Sequence, residues 1–306
     1  MGGGKLALAR LILPCNLRCK TEVRRKAGAL EEDAPTMPPL TDVALILGIN
    51  AALCFASFVV LWLIGSAIKD VTFIDAWWAL GLASMGVATF VQADGSAARM
   101  QLLTALVCLW GLRLGGYMLW RWRHHGPDRR YVKMLERAQE KKGWSYSTAA
   151  WRLVFALQAP ILWVTSLPVQ LGQMSTTPAA IGIVGWVGAG IVVFGILFES
   201  LADWQLVRFK ANPANAGKVL DSGLWRYTRH PNYFGDLCVW FGLWLIAAET
   251  GWLGIASIAG PLLLLTMFLR YSGGPSYEKR LTHQRPGYAE YIARTSSLIP
   301  WPPKTS

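Results

Sequence analysis

The sequence predicts an all-α fold: a polytopic integral membrane helix bundle with about seven transmembrane helices. Three observations carry this. Of 306 residues, 53% are hydrophobic and only 16% charged, too little polar surface to clothe an ordinary soluble domain. The apolar residues fall in long blocks, and Val43 to Ile68 holds no charged side chain over more than the ~20 residues that cross a bilayer as a helix. Lys and Arg crowd alternate connections, the pattern that orients membrane proteins.

Taken in order, the blocks are Val43 to Ile68, Phe73 to Val91, Met100 to Trp120, Trp151 to Val169, Ala179 to Phe198, Tyr233 to Ala248 and Trp252 to Leu269. Asp75 in the second and Asp236 in the sixth suit a re-entrant or buried segment as well as a span. The sixteen Trp residues fit side chains gathered at the interfaces.

Between the blocks, Arg121 to Lys142 holds eight Lys or Arg, Ala202 to Asn232 five, and the tail from Arg270 six. Gln92 to Arg99 holds one, and the other two connections none. The net charge of +12 therefore reads as topology, and no nucleic-acid partner is expected. It places the C-terminus and the polar loops in the cytoplasm.

An odd number of spans with this C-terminus puts the residues before Val43 outside, yet Met1 to Lys26 carries seven Lys or Arg. Met37, followed by Pro38 and Pro39, reads as the natural start. Residues 1–36 are then a spurious or disordered extension ahead of a membrane domain at 37–306.

Several apparent motifs carry little. Cys15 and Cys19 open an iron–sulfur spacing that Glu22 breaks, and Cys54, Cys108 and Cys238 sit singly in apolar blocks. Gly182, Gly185, Gly188 and Gly190, and the Gly111/Gly115 pair, are small residues that allow close helix packing. Such packing occurs within and between chains, so it sets no oligomeric state.

Ionisable residues inside spans are expensive and are functional candidates by default. Asp75 and Arg113 qualify, with mutual pairing to lock the bundle as the simpler alternative. Glu199 and Asp203, spaced i, i+4, share one helix face at the end of the fifth block. The densest constellation is Gly223-Leu-Trp-Arg-Tyr-Thr-Arg-His-Pro-Asn-Tyr-Phe-Gly-Asp236. Arg226, Arg229 and His230 offer cationic donors, Asn232 an amide, Tyr227 and Tyr233 phenols, and Asp236 a carboxylate; Arg suits forked recognition of phosphate.

This run resembles the C-terminal signature of the steroid 5α-reductase superfamily, nearest its bacterial branch of uncharacterised membrane proteins. Glu199-x-x-x-Asp203-x-Gln205 upstream and Tyr288-x-x-Tyr291 to Pro300 downstream extend the likeness over roughly residues 195–301. The resemblance implies a membrane reductase that takes NADPH from the cytoplasm and reduces an activated C=C bond in a lipophilic substrate, steroid-like, isoprenoid or other lipid. It carries cofactor binding onto Asp203, Asn232 and Asp236, with Glu199, Arg226, Tyr227, Arg229, His230 and Tyr233 beside them. No metal is implied.

The catalytic end departs from the family. Where family reductases use a Glu on the second helix and a Tyr on the third, this chain has Asp75 and Trp110, so Asp75, Arg113 and Tyr117 are the catalytic candidates. A donor to the carbonyl oxygen is required because hydride addition leaves an enolate. Arg229-His-Pro-x-Tyr-x-Gly also resembles isoprenylcysteine and phospholipid methyltransferases, for which the cofactor is S-adenosylmethionine; their paired acidic tail residues are replaced by Glu278-Lys279.

Overall fold

A computed structural model describes residues 38–272 and 275–304. The expected extension at 1–36, with Cys15 and Cys19, lies outside the described residues. The chain is all-α. Among the described residues the β-structure is a single isolated bridge between Thr228 and Ser296.

The longest helices are α1 (Leu40–Ile68), α2 (Ile74–Gln92), α3 (Ala97–His125) and, later in the chain, α8 (Ile183–Ala211). The polar connection after α3 forms α4 (Arg129–Lys142), started by the Asp128 side chain accepting from Arg130 N–H and stopped by Gly143 at φ 63°. Then come α5 (Tyr146–Ala150), α6 (Ala156–Thr165) and α7 (Leu167–Leu171). After α8 follow α9 (Pro231–Ala248), α10 (Trp252–Ala256), α11 (Ala259–Met267), α12 (Pro275–Gln284) and α13 (Tyr288–Arg294).

Where seven spans were expected, five segments among the described residues are long and apolar enough to cross a membrane: α1, α2, α3, α8 and Trp252–Arg270. The fourth block is broken. A π-helical turn at Trp151–Phe155 leads into α6, which contains Pro160, and Ser166 separates α6 from α7 with Pro168 in its first turn. The sixth block forms one helix, α9, whose first turns carry Asn232 and Asp236 and lower its apolar character. The result is a bundle of several long apolar helices, an integral membrane fold.

Glycines set the helix spacing, and of those singled out in the sequence Gly111, Gly115 and Gly188 do so. A Cβ on Gly195 would lie 2.6 Å from the Gly235 carbonyl oxygen, and one on Gly242 2.6 Å from that of Gly188, so α8 and α9 meet backbone to backbone. On α3, Gly111 abuts Ala79 and Ala83, and Gly115 abuts Leu80, which seats α3 on α2. Gly190, by contrast, faces open space. Trp110 and Trp240, both fully buried, cross edge to face at 5.4 Å where α3 meets α9.

The end of the bundle away from the basic loops is closed by polar bonds. Asn50 on α1 donates to Thr89 Oγ1 at 2.8 Å and to Gln170 Oε1 at 2.9 Å. Arg99, counted as a loop residue from sequence, is fully buried and donates to the carbonyls of Gly172, Ser175 and Pro178. Glu249 accepts from the N–H groups of Gly182 and Gly185 at the start of α8, where the helix dipole favours a carboxylate.

Candidate active site

On α3, Trp110, Arg113, Tyr117 and Arg121 recur at helical spacing and so share one face. The facing surface of α8 carries Glu199 and Asp203. Arg113 Nη2 donates to Asp203 Oδ2 at 2.7 Å, and Nη1 lies 2.9 Å from Glu199 Oε1 as an ion-pair contact without hydrogen-bond alignment. Trp110 Nε1 donates to Glu199 Oε2 at 3.1 Å. The glycine seam between α8 and α9 brings the third carboxylate close: Asp236 is buried within electrostatic range of Glu199, Asp203 and Arg113.

One guanidinium thus serves three buried carboxylates, and each uncompensated buried ion costs several kcal/mol. Asp236 Oδ1 and the indole N–H of Trp240, one turn further along α9, are both buried outside hydrogen-bond geometry. Charge balance here calls for a proton or a further cation.

Next to this cluster opens a cleft of about 540 Å³, lined by Tyr117, Trp120, Arg121, His124, His125 and Lys210 among others. Tyr117 sits at the junction, within electrostatic range of Asp203, Arg121 and Arg113. Lys210 is in similar range of Arg121, Arg285 and Arg130. Asp128, the carboxylate in the lining, is bound by Arg130 at 2.8 Å. The cleft therefore presents positive charge and aromatic rings together.

Asp75 does not pair with Arg113 to lock the bundle. Instead Arg121 Nη2 donates to Asp75 Oδ2 at 3.1 Å, and the Tyr131 hydroxyl to Oδ1 at 2.8 Å. Burial, then the Asp75 charge, pushes the Tyr131 phenol above its ordinary value. Tyr131 comes from α4, outside every apolar block, so no pattern along the sequence couples it to Asp75. Arg121 was legible from its helical spacing to Arg113 and Tyr117.

The run Gly223 to Asp236 divides. Arg226 and Tyr227 are exposed, and Asn232 and Tyr233 half-buried. Arg229, expected as a free phosphate donor, is instead committed to the protein's own tail. Its Nε and Nη2 clasp Glu278 at 2.7 and 3.1 Å, and Nη1 donates to the carbonyls of Ile292 and Thr295. Thr228 Oγ1 donates to the carbonyls of Ser297 and Leu298, and Tyr291 Oη to that of Trp225, so Tyr291 staples the tail. His230 Nε2 stands 3.5 Å from Glu278 Oε1, while its ring stacks on Tyr233, which stacks in turn on Phe268 at 4.3 Å. Burial raises the Glu278 carboxyl, but the bonds from His230 and Arg229 outweigh it and hold the group below the usual range.

The family model described as protein of unknown function (DUF1295) matches residues 61–295. An uncharacterized protein of Schizosaccharomyces pombe is 22% identical over 237 residues, covering 65% of this chain and 67% of its own length. No solved structure matches.

Proposed function

We propose, for a chain that belongs to the DUF1295 family, that it is a membrane-embedded reductase which draws on NADPH from the cytoplasmic side and reduces an activated C=C bond in a lipophilic substrate. In this reading the seven apolar blocks cross or enter the bilayer, the basic loops are cytoplasmic, and residues 195–301 form the cofactor half. The likeness of Gly223 to Asp236 to steroid 5α-reductases supports it. The observation that carries it is the basic, aromatic cleft beside the Arg113 cluster.

The donor set fits a phosphorylated nucleotide, at different residues from those expected. Arg121 and Lys210 offer cations to phosphate, and Trp120 offers an aromatic face; the donors of Arg229 are largely used by the tail. When bound, NADPH supplies a hydride. Glu199 and Asp203 hold Arg113 beside the cleft and within electrostatic range of Tyr117, and in this reading its charge and the Tyr117 hydroxyl stabilise negative charge on a substrate oxygen. Asp75 orients Arg121 and Tyr131. Asn232 and Asp236 stand in the first turns of α9, Asp236 beside the cluster, and the family likeness assigns both to the cofactor.

A second reading has its own support. Three carboxylates around one guanidinium leave an excess of negative charge that suits a cationic ligand, and S-adenosylmethionine is one. The test is thermal stabilisation of the detergent-purified protein by each cofactor, since a ligand that binds only the folded state raises its midpoint. NADPH stabilisation supports the reductase, and stabilisation by the methyl donor alone refutes it.

A further inference from the structure

The outer face of α8 carries a track that the proposed catalytic chemistry does not use. Val193, Leu197, Leu201 and Trp204 recur every three or four residues and are exposed, Leu197 by 64%. They lie on the opposite side of the helix from Glu199 and Asp203, by helical spacing. The same row ends on Arg208, whose guanidinium lies 5.3 Å from the centre of the Trp204 ring. Arg208 has no carboxylate partner among the described residues.

At this point the surface opens into a groove of about 520 Å³, with Trp204, Gln205, Arg208, Asn212, Asn215 and Ser222 in its wall. Among the described residues, Arg208 is the one charged side chain lining it. The floor is built firmly: Gln205 Oε1 accepts from Leu224 N–H at 3.0 Å, and Asn215 Nδ2 donates to the Phe209 carbonyl at 3.0 Å. Asn212 Oδ1 accepts from Ala214 N–H at 3.0 Å, which leaves its amide NH₂ as a further donor.

We infer that this groove and track form a binding site for one phospholipid, with an acyl chain along Val193 to Trp204 and the headgroup phosphate on Arg208. Charge complementarity selects the occupant: an apolar row as long as an acyl chain ends on a lone guanidinium beside amide and hydroxyl donors, and an Arg fork matches phosphate oxygens. A free phosphate would use the groove and leave the track bare. Because the groove wall includes Gln205, Ser222 and Gly223, a bound lipid would brace the loop that leads into the Gly223 to Asp236 run.

Native mass spectrometry of the full chain in detergent, titrated with phosphatidylglycerol, tests this. Wild-type protein is expected to hold one lipid with high occupancy, and Arg208→Gln to weaken it at least about tenfold, the scale of a lost charge-assisted hydrogen bond. Arg137→Gln, which removes an exposed cation on α4, leaves it unchanged. Trp204→Gln provides a second variant should the first fail to fold, and it too is expected to lose lipid. Retention of lipid at wild-type strength by either folded variant overturns the site. So does Arg208-dependent stabilisation by inorganic phosphate equal to that by the lipid.

Discussion

Arg113 Nη2 and Asp203 Oδ2 stand 2.7 Å apart and join α3 to α8. Glu199 flanks the same guanidinium at 2.9 Å, so a single cation is shared by two nearly buried carboxylates. Removing it leaves both uncompensated. Arg113→Gln is expected to lower folding stability by about 3–5 kcal/mol, measured by denaturation in detergent. Adding Glu199→Gln should restore part of the loss, because the two sites share one network.

Breaking the Arg229 clasp has a different signature. Arg229→Ala removes the bidentate bonds to Glu278 and the donors to two tail carbonyls, so the tail from α12 onward should release while the apolar helices stay intact. Limited proteolysis is expected to cut this variant near residues 275–304 much faster than wild type, with little change in the helical signal. Loss of NADPH stabilisation in the variant then reports tail release, and Arg226→Ala, at an exposed side chain, separates the two effects.

The same clasp sets a pH dependence. Glu278 is held below its unfolded value of about 4.3, so its pairing contributes fully above that pH and is lost as pH falls through the lower folded value. The thermal midpoint should drop as pH falls below about 4.3, and Glu278→Gln should be less stable at neutral pH and flatter across that window.

Gly195 and Gly235 make the close approach that brings Asp236 to the Arg113 cluster. Gly235→Ala would put a Cβ 2.7 Å from the Glu199 amide nitrogen, a backbone atom that cannot swing away. A loss of about 1–3 kcal/mol is expected from such overpacking. Gly190→Ala, facing open space, serves as the control and should be neutral.

Much of this was legible in the sequence. Hydropathy located the apolar blocks, and the i, i+4 spacing of Glu199 and Asp203 put both on one helix face. The small residues at 111, 115 and 188 sit where helices touch. What one-dimensional patterns could not supply were contacts chosen by tertiary packing. Sequence offered Asp75 as the partner of Arg113, and only the seating of α3 against α8 gives it to Glu199 and Asp203. Arg229 looked like a ligand donor because its partner, Glu278, lies 49 residues away in a tail with no hydropathy signal. The fourth block failed as one helix because Pro160, Ser166 and Pro168 divide a composition that hydropathy averages over.

The central claim is hydride transfer from NADPH to a membrane lipid, and isotope transfer tests it most directly. Purified protein is incubated with NADPH deuterated at the transferred position and with a lipid extract of its native membrane, and the lipids are read by mass spectrometry. The account predicts a lipid that gains one deuterium from the cofactor and one hydrogen from solvent, and loses this labelling in Tyr117→Phe and Arg113→Gln. Absence of deuterium in every lipid, with methyl transfer from labelled S-adenosylmethionine in a parallel sample, would contradict it.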